Sequence, residues 1–130
     1  MKQIVIVADN RPGIVADVTM ALGEKGVNIG TIDGEAFQGV GIVRMTVSNS
    51  DLALKVLRDA GFHAFSEEVI LIRLEDKPGA LARVARRFKD AQIDIVSLRI
   101  VSRDGQTGVV AISCDDVGGA KELVRDELLS

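Results

Sequence analysis

At 130 residues, 47% hydrophobic and 27% charged, the chain has the make-up of a globular protein, long enough for one ordinary domain or two small ones. A formal net charge of −3 argues against general nucleic-acid affinity, which needs cations to displace phosphate counterions. The single cysteine, Cys114, permits no internal disulfide and no cysteine metal cluster, and no apolar run approaches the roughly 20 residues of a membrane span.

Met1-Lys2-Gln3 runs straight into Ile4–Ala8, a β-branched run expected to be a strand buried in its sheet and not a signal sequence. A cytoplasmic protein is the expectation. At Asn10-Arg11-Pro12-Gly13 the period changes: Ile14, Val15, Val18 and Leu22 keep an apolar stripe through a helix expected from Pro12 to Lys25, stopped by Gly26. Proline suits a first helical position, because its missing N–H has no partner there. Strands are expected over residues 27–37 and 40–47, joined through Gly39. Asn49 should cap a second helix ending at Gly61, and residues 62–66 should form a short fourth strand.

The same order then recurs. A strand over residues 69–74 meets Asp76-Lys77-Pro78-Gly79, followed by a helix over 78–91 and a strand over 93–101. A hairpin turn at Asp104-Gly105, a pair favouring type I′ geometry, leads to a strand over 108–114 and a last helix over 117–128. Pro12 and Pro78 stand 66 residues apart, and at that offset Ala16, Val18, Leu22 and Ile29 meet Ala82, Val84, Phe88 and Ile95. This is an internal duplication, dividing the chain at 1–67 and 68–130. The second copy has no residues for a fourth strand, so its sheet is expected to have an open edge or one closed by a strand from elsewhere.

A duplicated strand, Pro-Gly turn, helix, Gly26-Val27-Asn28-Ile29 strand, hairpin and helix resembles the ACT domain family of amino-acid-sensing modules. The resemblance implies an α+β protein of two ferredoxin-like βαββαβ units in tandem, the second lacking its last strand. The first copy looks most like the serine-sensing ACT domains of phosphoglycerate dehydrogenases. There, the equivalents of Asn10 and Asn28 hold the ligand from opposite sides of an interface between domains. The second copy has Asp76 and Asp94 at those places. The resemblance also implies side-by-side pairing, here expected as a homodimer.

The ligand-binding candidates are Asn10, Arg11, Gly13, Ile14, Asn28 and Ile29 in the first copy, and Asp76, Gly79, Ala80, Leu81 and Asp94 in the second. First-turn amides and the positive end of a helix dipole suit a carboxylate, and side-chain oxygens of Asn10 and Asn28 suit an ammonium. Two readings stand for each asparagine: ligand contact, or a turn residue bonding its own backbone. Asp9 reads as a structural acid near a helix start. His63 reads as a half-buried side chain, Cys114 as a small buried residue at a strand end, and Arg83, Arg86 and Arg87 as a solvated basic face. Arg44 and Arg73 interrupt apolar strands; on a face that meets another sheet they should pair with an acid such as Glu35.

No catalytic constellation, metal-ligand spacing or cofactor motif is present in this sequence, so a non-enzymatic module is expected. With no Tyr or Trp and four Phe, the base-stacking surface of an RNA-binding sheet is missing, so no direct nucleic-acid contact is expected, nor any membrane contact. The expected function is to bind a free amino acid at ACT–ACT interfaces and signal to a separate enzyme or transcriptional regulator. One such possibility is a role resembling the small tandem ACT repressor of glycine cleavage. The alternative is a ligand-free interaction or oligomerisation module.

Overall fold

The computed structural model describes residues 1–129, so the last residue of the second repeat lies outside the description. The chain divides into two units, Lys2–Glu67 and Glu68 onward together with Met1. In the first, the opening β-branched run forms β1 (Lys2–Asp9). It is followed by α1 (Ile14–Glu24), β2 (Ile29–Phe37), β3 (Val40–Val47), α2 (Ser50–Asp59) and β4 (His63–Glu68). The strand order is β2-β3-β1-β4, with β3 antiparallel to both neighbours. Register sets Ile4 opposite Met45 and Ile6 opposite Val43, so the period of two puts all four on one face. The 3.6-residue stripes of both helices close over that face, Ile14, Val18 and Leu22 from α1 and Ala53 and Leu57 from α2. Asn49 caps α2 as expected, its Oδ1 accepting from Leu52 N–H at 3.1 Å.

The second unit repeats this plan through β5 (Ile70–Glu75), α3 (Ala80–Asp90), β6 (Ile95–Arg103), β7 (Thr107–Cys114) and α4 (Val117–Leu123), with strand order β5-β7-β6. Phe88 sits in its core with Ile70, Ile72, Val84, Val110, Ile112 and Ala120. The duplication reaches single hydrogen bonds. Thr31 and Thr46 join hydroxyls at 2.8 Å, as Ser97 and Ser113 do at 2.7 Å. Asn28 N–H donates to Ser48 Oγ at 3.0 Å, as Asp94 N–H does to Asp115 Oδ1 at 2.9 Å.

The two prolines lie outside the helices they were expected to open. Gly13 and Gly79 are the N-caps, with φ of +92° and +86°. Proline followed by a residue at positive φ and ψ near zero is the pattern of a type II turn, and only glycine takes the second place without strain. Ala80 N–H donates to Lys77 O across the second such turn at 3.3 Å. The hairpin turns also depart from expectation. Asp104 has no positive φ, and Gly105 at +95° opens the pair of central residues, as in type II′ rather than I′. The Asp104 carboxylate holds that corner by accepting from Thr107 N–H at 2.7 Å and Gln106 N–H at 3.1 Å. A I′ pattern occurs instead at Gln38-Gly39, where both φ values are positive.

The last helix stops at Leu123, short of the expected 128. Its final turn is given up because residues 127–129 swing back to β5: Ile72 and Leu128 form an antiparallel bridge, so the expected open edge is partly covered by the chain itself. No fourth strand follows among the described residues. His63 is exposed rather than half-buried, its ring tilted toward Phe65 with centroids 6.2 Å apart. Cys114 ends β7 half-buried. Arg44 pairs with Glu35 at 2.9 Å, but within its own sheet from the adjacent strand β2 and not across to another sheet. Arg73 makes no ion pair among the described residues.

Candidate ligand-binding site

The turn between β1 and α1 opens onto a groove of about 520 Å³ in the first unit. Asn10, Arg11, Gly13 and Ile14 stand on one side of it, and Gly34, Glu35, Gly41 and Ile42 of the β2–β3 hairpin on the other. The Asn10 N–H donates to Gly39 O at 2.8 Å, fixing the turn against the hairpin. Two strand glycines keep the floor open. A methyl group on Gly41 would stand 3.2 Å from Ile14 Cδ1 and 3.6 Å from Asn10 Oδ1, and one on Gly34 would reach Val15 Cγ2 at 3.6 Å. The Arg11 guanidinium folds over the turn onto Asp17 Oδ2 at 2.7 Å and Pro12 O at 3.3 Å. Within α1, Asp17 N–H donates back to Gly13 O at 2.9 Å; the amides of residues 14–16 precede it at the helix end. The groove thus gathers helix-end amides, a guanidinium, a carboxamide and an apolar floor.

Asn28 and Ile29 lie elsewhere. They follow the far end of α1, and 11 helical residues at about 1.5 Å each separate them from Asn10 by about 16 Å within the unit. Asn28 is exposed, and its main chain is clasped by Ser48, whose N–H donates to Asn28 O at 2.9 Å. No single ligand of amino-acid size touches both asparagines of one unit.

The equivalent groove of the second unit holds Asp76, Ala80 and Leu81 but only about 130 Å³. Ile100 stands where Gly34 does, and Leu81 where Val15 does, so side chains fill the space. Its charges are also engaged: Arg103 lies 3.6 Å from Asp76, and Lys77 at 2.7 Å holds the Glu75 carboxyl below the ordinary carboxylate range. Gly79 and Asp94 are not among the residues lining it. Sequence reasoning missed Gly34, Gly41 and Ile42 in the larger groove. An isolated glycine inside a strand pattern marks a close approach, and that signal was available at both positions.

A family model of the ACT domain pair matches residues 1–130. The chain belongs to the ACT domain pair family. The ACT pair is a regulatory kind of fold, and ligand binding is typical of ACT domains. A protein of Bacteroides thetaiotaomicron has the same fold at TM-score 0.82 and 26% identity, over 98% of this chain and 90% of that one. The ligand-free regulatory subunit of aspartate kinase from Thermus thermophilus follows at TM-score 0.67 and 19% identity, over 96% and 91%. That from Thermus flavus has TM-score 0.66 and 17% identity, over 96% and 90%. At these lower identities the likeness is one of ACT fold. No curated protein matches the chain in sequence. No helix among the described residues is long and apolar enough to cross a membrane.

Proposed function

We propose that this ACT domain pair is a non-catalytic cytoplasmic module that binds a free amino acid in the groove beside Asn10 and signals to a separate enzyme or transcriptional regulator. The observation that carries the reading is the groove's pairing of opposite chemistries within one small space. The helix-end amides suit a carboxylate, while Asn10 Oδ1 suits an ammonium. The apolar floor of Ile14, Val15 and Val43 accepts a side chain, and the volume falls within the usual range for small-molecule sites. Serine is the first candidate, from the likeness of the first repeat to serine-sensing domains.

Asn28 enters from a neighbouring copy in this reading. β2 ends the first sheet and exposes Ile32 and Phe37, the latter 70% accessible. Pairing along that edge gives a homodimer, and an amino acid bridging Asn10 of one copy to Asn28 of the other favours the docked state. The same exposed edge supports the second reading, a ligand-free oligomerisation module.

A thermal-shift screen against the twenty amino acids at millimolar concentration separates the two. A ligand at 100 times its Kd adds about 2.7 kcal/mol to the native state. One selective stabiliser, lost in both Asn10→Ala and the groove-filling Gly34→Leu, supports the amino-acid reading. No stabiliser among the twenty refutes it and leaves the oligomerisation module.

A further inference from the structure

The outer edge of β5 is where the second unit departs most from the first. In the first unit the matching edge, that of β1, is covered by the six residues of β4. Here the cover among the described residues is one bridge: Arg73 N–H donates to Glu127 O at 2.9 Å and Leu129 N–H to Leu71 O at 2.7 Å. In antiparallel pairing a residue's N–H and C=O face the same edge, and alternate residues repeat the direction. The Arg73 carbonyl and Glu75 amide therefore face this edge as well. The Glu127 N–H that would return a bond to Arg73 is turned to Val124 O at 2.9 Å. Half of the strand position stays open as a groove of about 220 Å³, lined by Arg73 and Glu75 of β5 and by Ala80, Arg83, Val84 and Arg87 of α3.

The charge around this gap is reversed relative to the first unit. At the 66-residue offset, Val7, Asp17, Met20 and Ala21 become Arg73, Arg83, Arg86 and Arg87. One negative charge, on Asp17, is replaced by four positive ones, in a chain of net charge −3. Arg87 is engaged, with Glu127 Oε1 at 2.8 Å and Leu123 O at 3.3 Å. Arg73, Arg83 and Arg86 make no ion pair among the described residues. The chain's own tail shows what suits the place. Glu127 joins β5 through its main chain while its carboxylate lies on Arg87.

We propose that the open edge of β5 is a docking slot for an acidic, extended segment of a partner protein, which completes the second sheet and sets its carboxylates against Arg83, Arg86 and Arg87. Strand addition draws affinity from main-chain bonds and specificity from alternate side chains. A small anion engages the guanidinium groups but leaves the Arg73 carbonyl facing an acceptor. An extended peptide brings the donor that carbonyl needs and the acceptor the Glu75 amide needs. The slot lies wholly in the second unit and is independent of the amino-acid reading for the first.

The test is fluorescence anisotropy on the full chain with a labelled six-residue peptide of alternating glutamate and valine. Three controls accompany it: its lysine counterpart, the acidic peptide N-methylated at alternate amides, and inorganic pyrophosphate as competitor. The acidic peptide should bind, and the lysine peptide should not. N-methylation and the double variant Arg83→Glu, Arg86→Glu should each weaken binding at least tenfold. Both arginines are exposed, so far-UV circular dichroism of the double variant should match the parent. No binding of the acidic peptide overturns the proposal. So does equal binding of the N-methylated peptide, or full displacement by pyrophosphate at equal concentration, since either reduces the slot to a patch of positive charge.

Discussion

The two repeats contain a matched pair of backbone positions whose exchange measures a single torsional effect. Gly26, after α1, has φ of +73°; at the 66-residue offset the same place after α3 is Gln92, with φ of +58°. Both take the left-handed conformation that ends a helix. A side chain there costs about 1–2 kcal/mol, while glycine loses about 0.5–1 kcal/mol more chain entropy on folding. Gln92→Gly should therefore gain about 0.5–1 kcal/mol, and Gly26→Gln should lose a similar amount. A Cβ on Gly26 would meet nothing within 4 Å, so the loss is one of backbone conformation and not of packing. With about 4–8 °C per kcal/mol for a domain of this size, each variant should move its melting temperature by about 2–8 °C, in opposite directions. The chain has no Trp or Tyr, so urea unfolding is followed by far-UV circular dichroism. Midpoints that shift with unchanged m-value report stability alone. A Gln92→Gly midpoint at or below the parent's, or a Gly26→Gln midpoint at the parent's, refutes the reasoning.

Phe88 is 1% exposed at the centre of the second core, and Phe88→Ala should cost about 3–5 kcal/mol, read as a lowered urea midpoint. The Asp104 carboxyl is held below its ordinary value, first by the Thr107 backbone N–H and then by that of Gln106. Its stabilisation is therefore present above the ordinary carboxylate range and is lost as pH falls through the lowered value; the midpoint gap between parent and Asp104→Ala should close on acidification. Burial, then the nearby Asp115 and Asp116 charges, raises the Cys114 thiol, against a lowering bond from the Asp116 N–H. Iodoacetamide should alkylate it slowly at pH 7.5 in the folded protein and faster in urea, because the thiolate is the reacting form.

Much of the fold was legible because periodicity and duplication supported each other. Ile4 and Ile6 recur as Ile70 and Ile72, all fully buried, and the cap at Asn49 recurs at Asp116. The helix starts were placed early because the Pro-Gly step serves equally as a first helical turn or a type II turn, and local sequence does not separate them. The end of α4 was hidden for a different reason. Arg125 and Asp126 repeat the helical Arg58 and Asp59, but pairing with β5 draws the chain away, and that is tertiary information. At the candidate site, one half was visible as the turn carrying Asn10. The other half comes from the hairpin about 25–30 residues later, brought opposite by sheet register.

The exchange of Gly34 for Ile100 makes the molecule its own control. Two copies of one scaffold share solvent, temperature and concentration in every tube, one with a hollow and the other with that hollow plugged by its own side chain. A backbone NMR spectrum taken during a titration then holds signal and blank together. Resonances around Gly34 should move, and those around Ile100 should stay still. Grafting the plug, as Gly34→Ile, turns the first copy into a second blank without borrowing anything foreign to the chain.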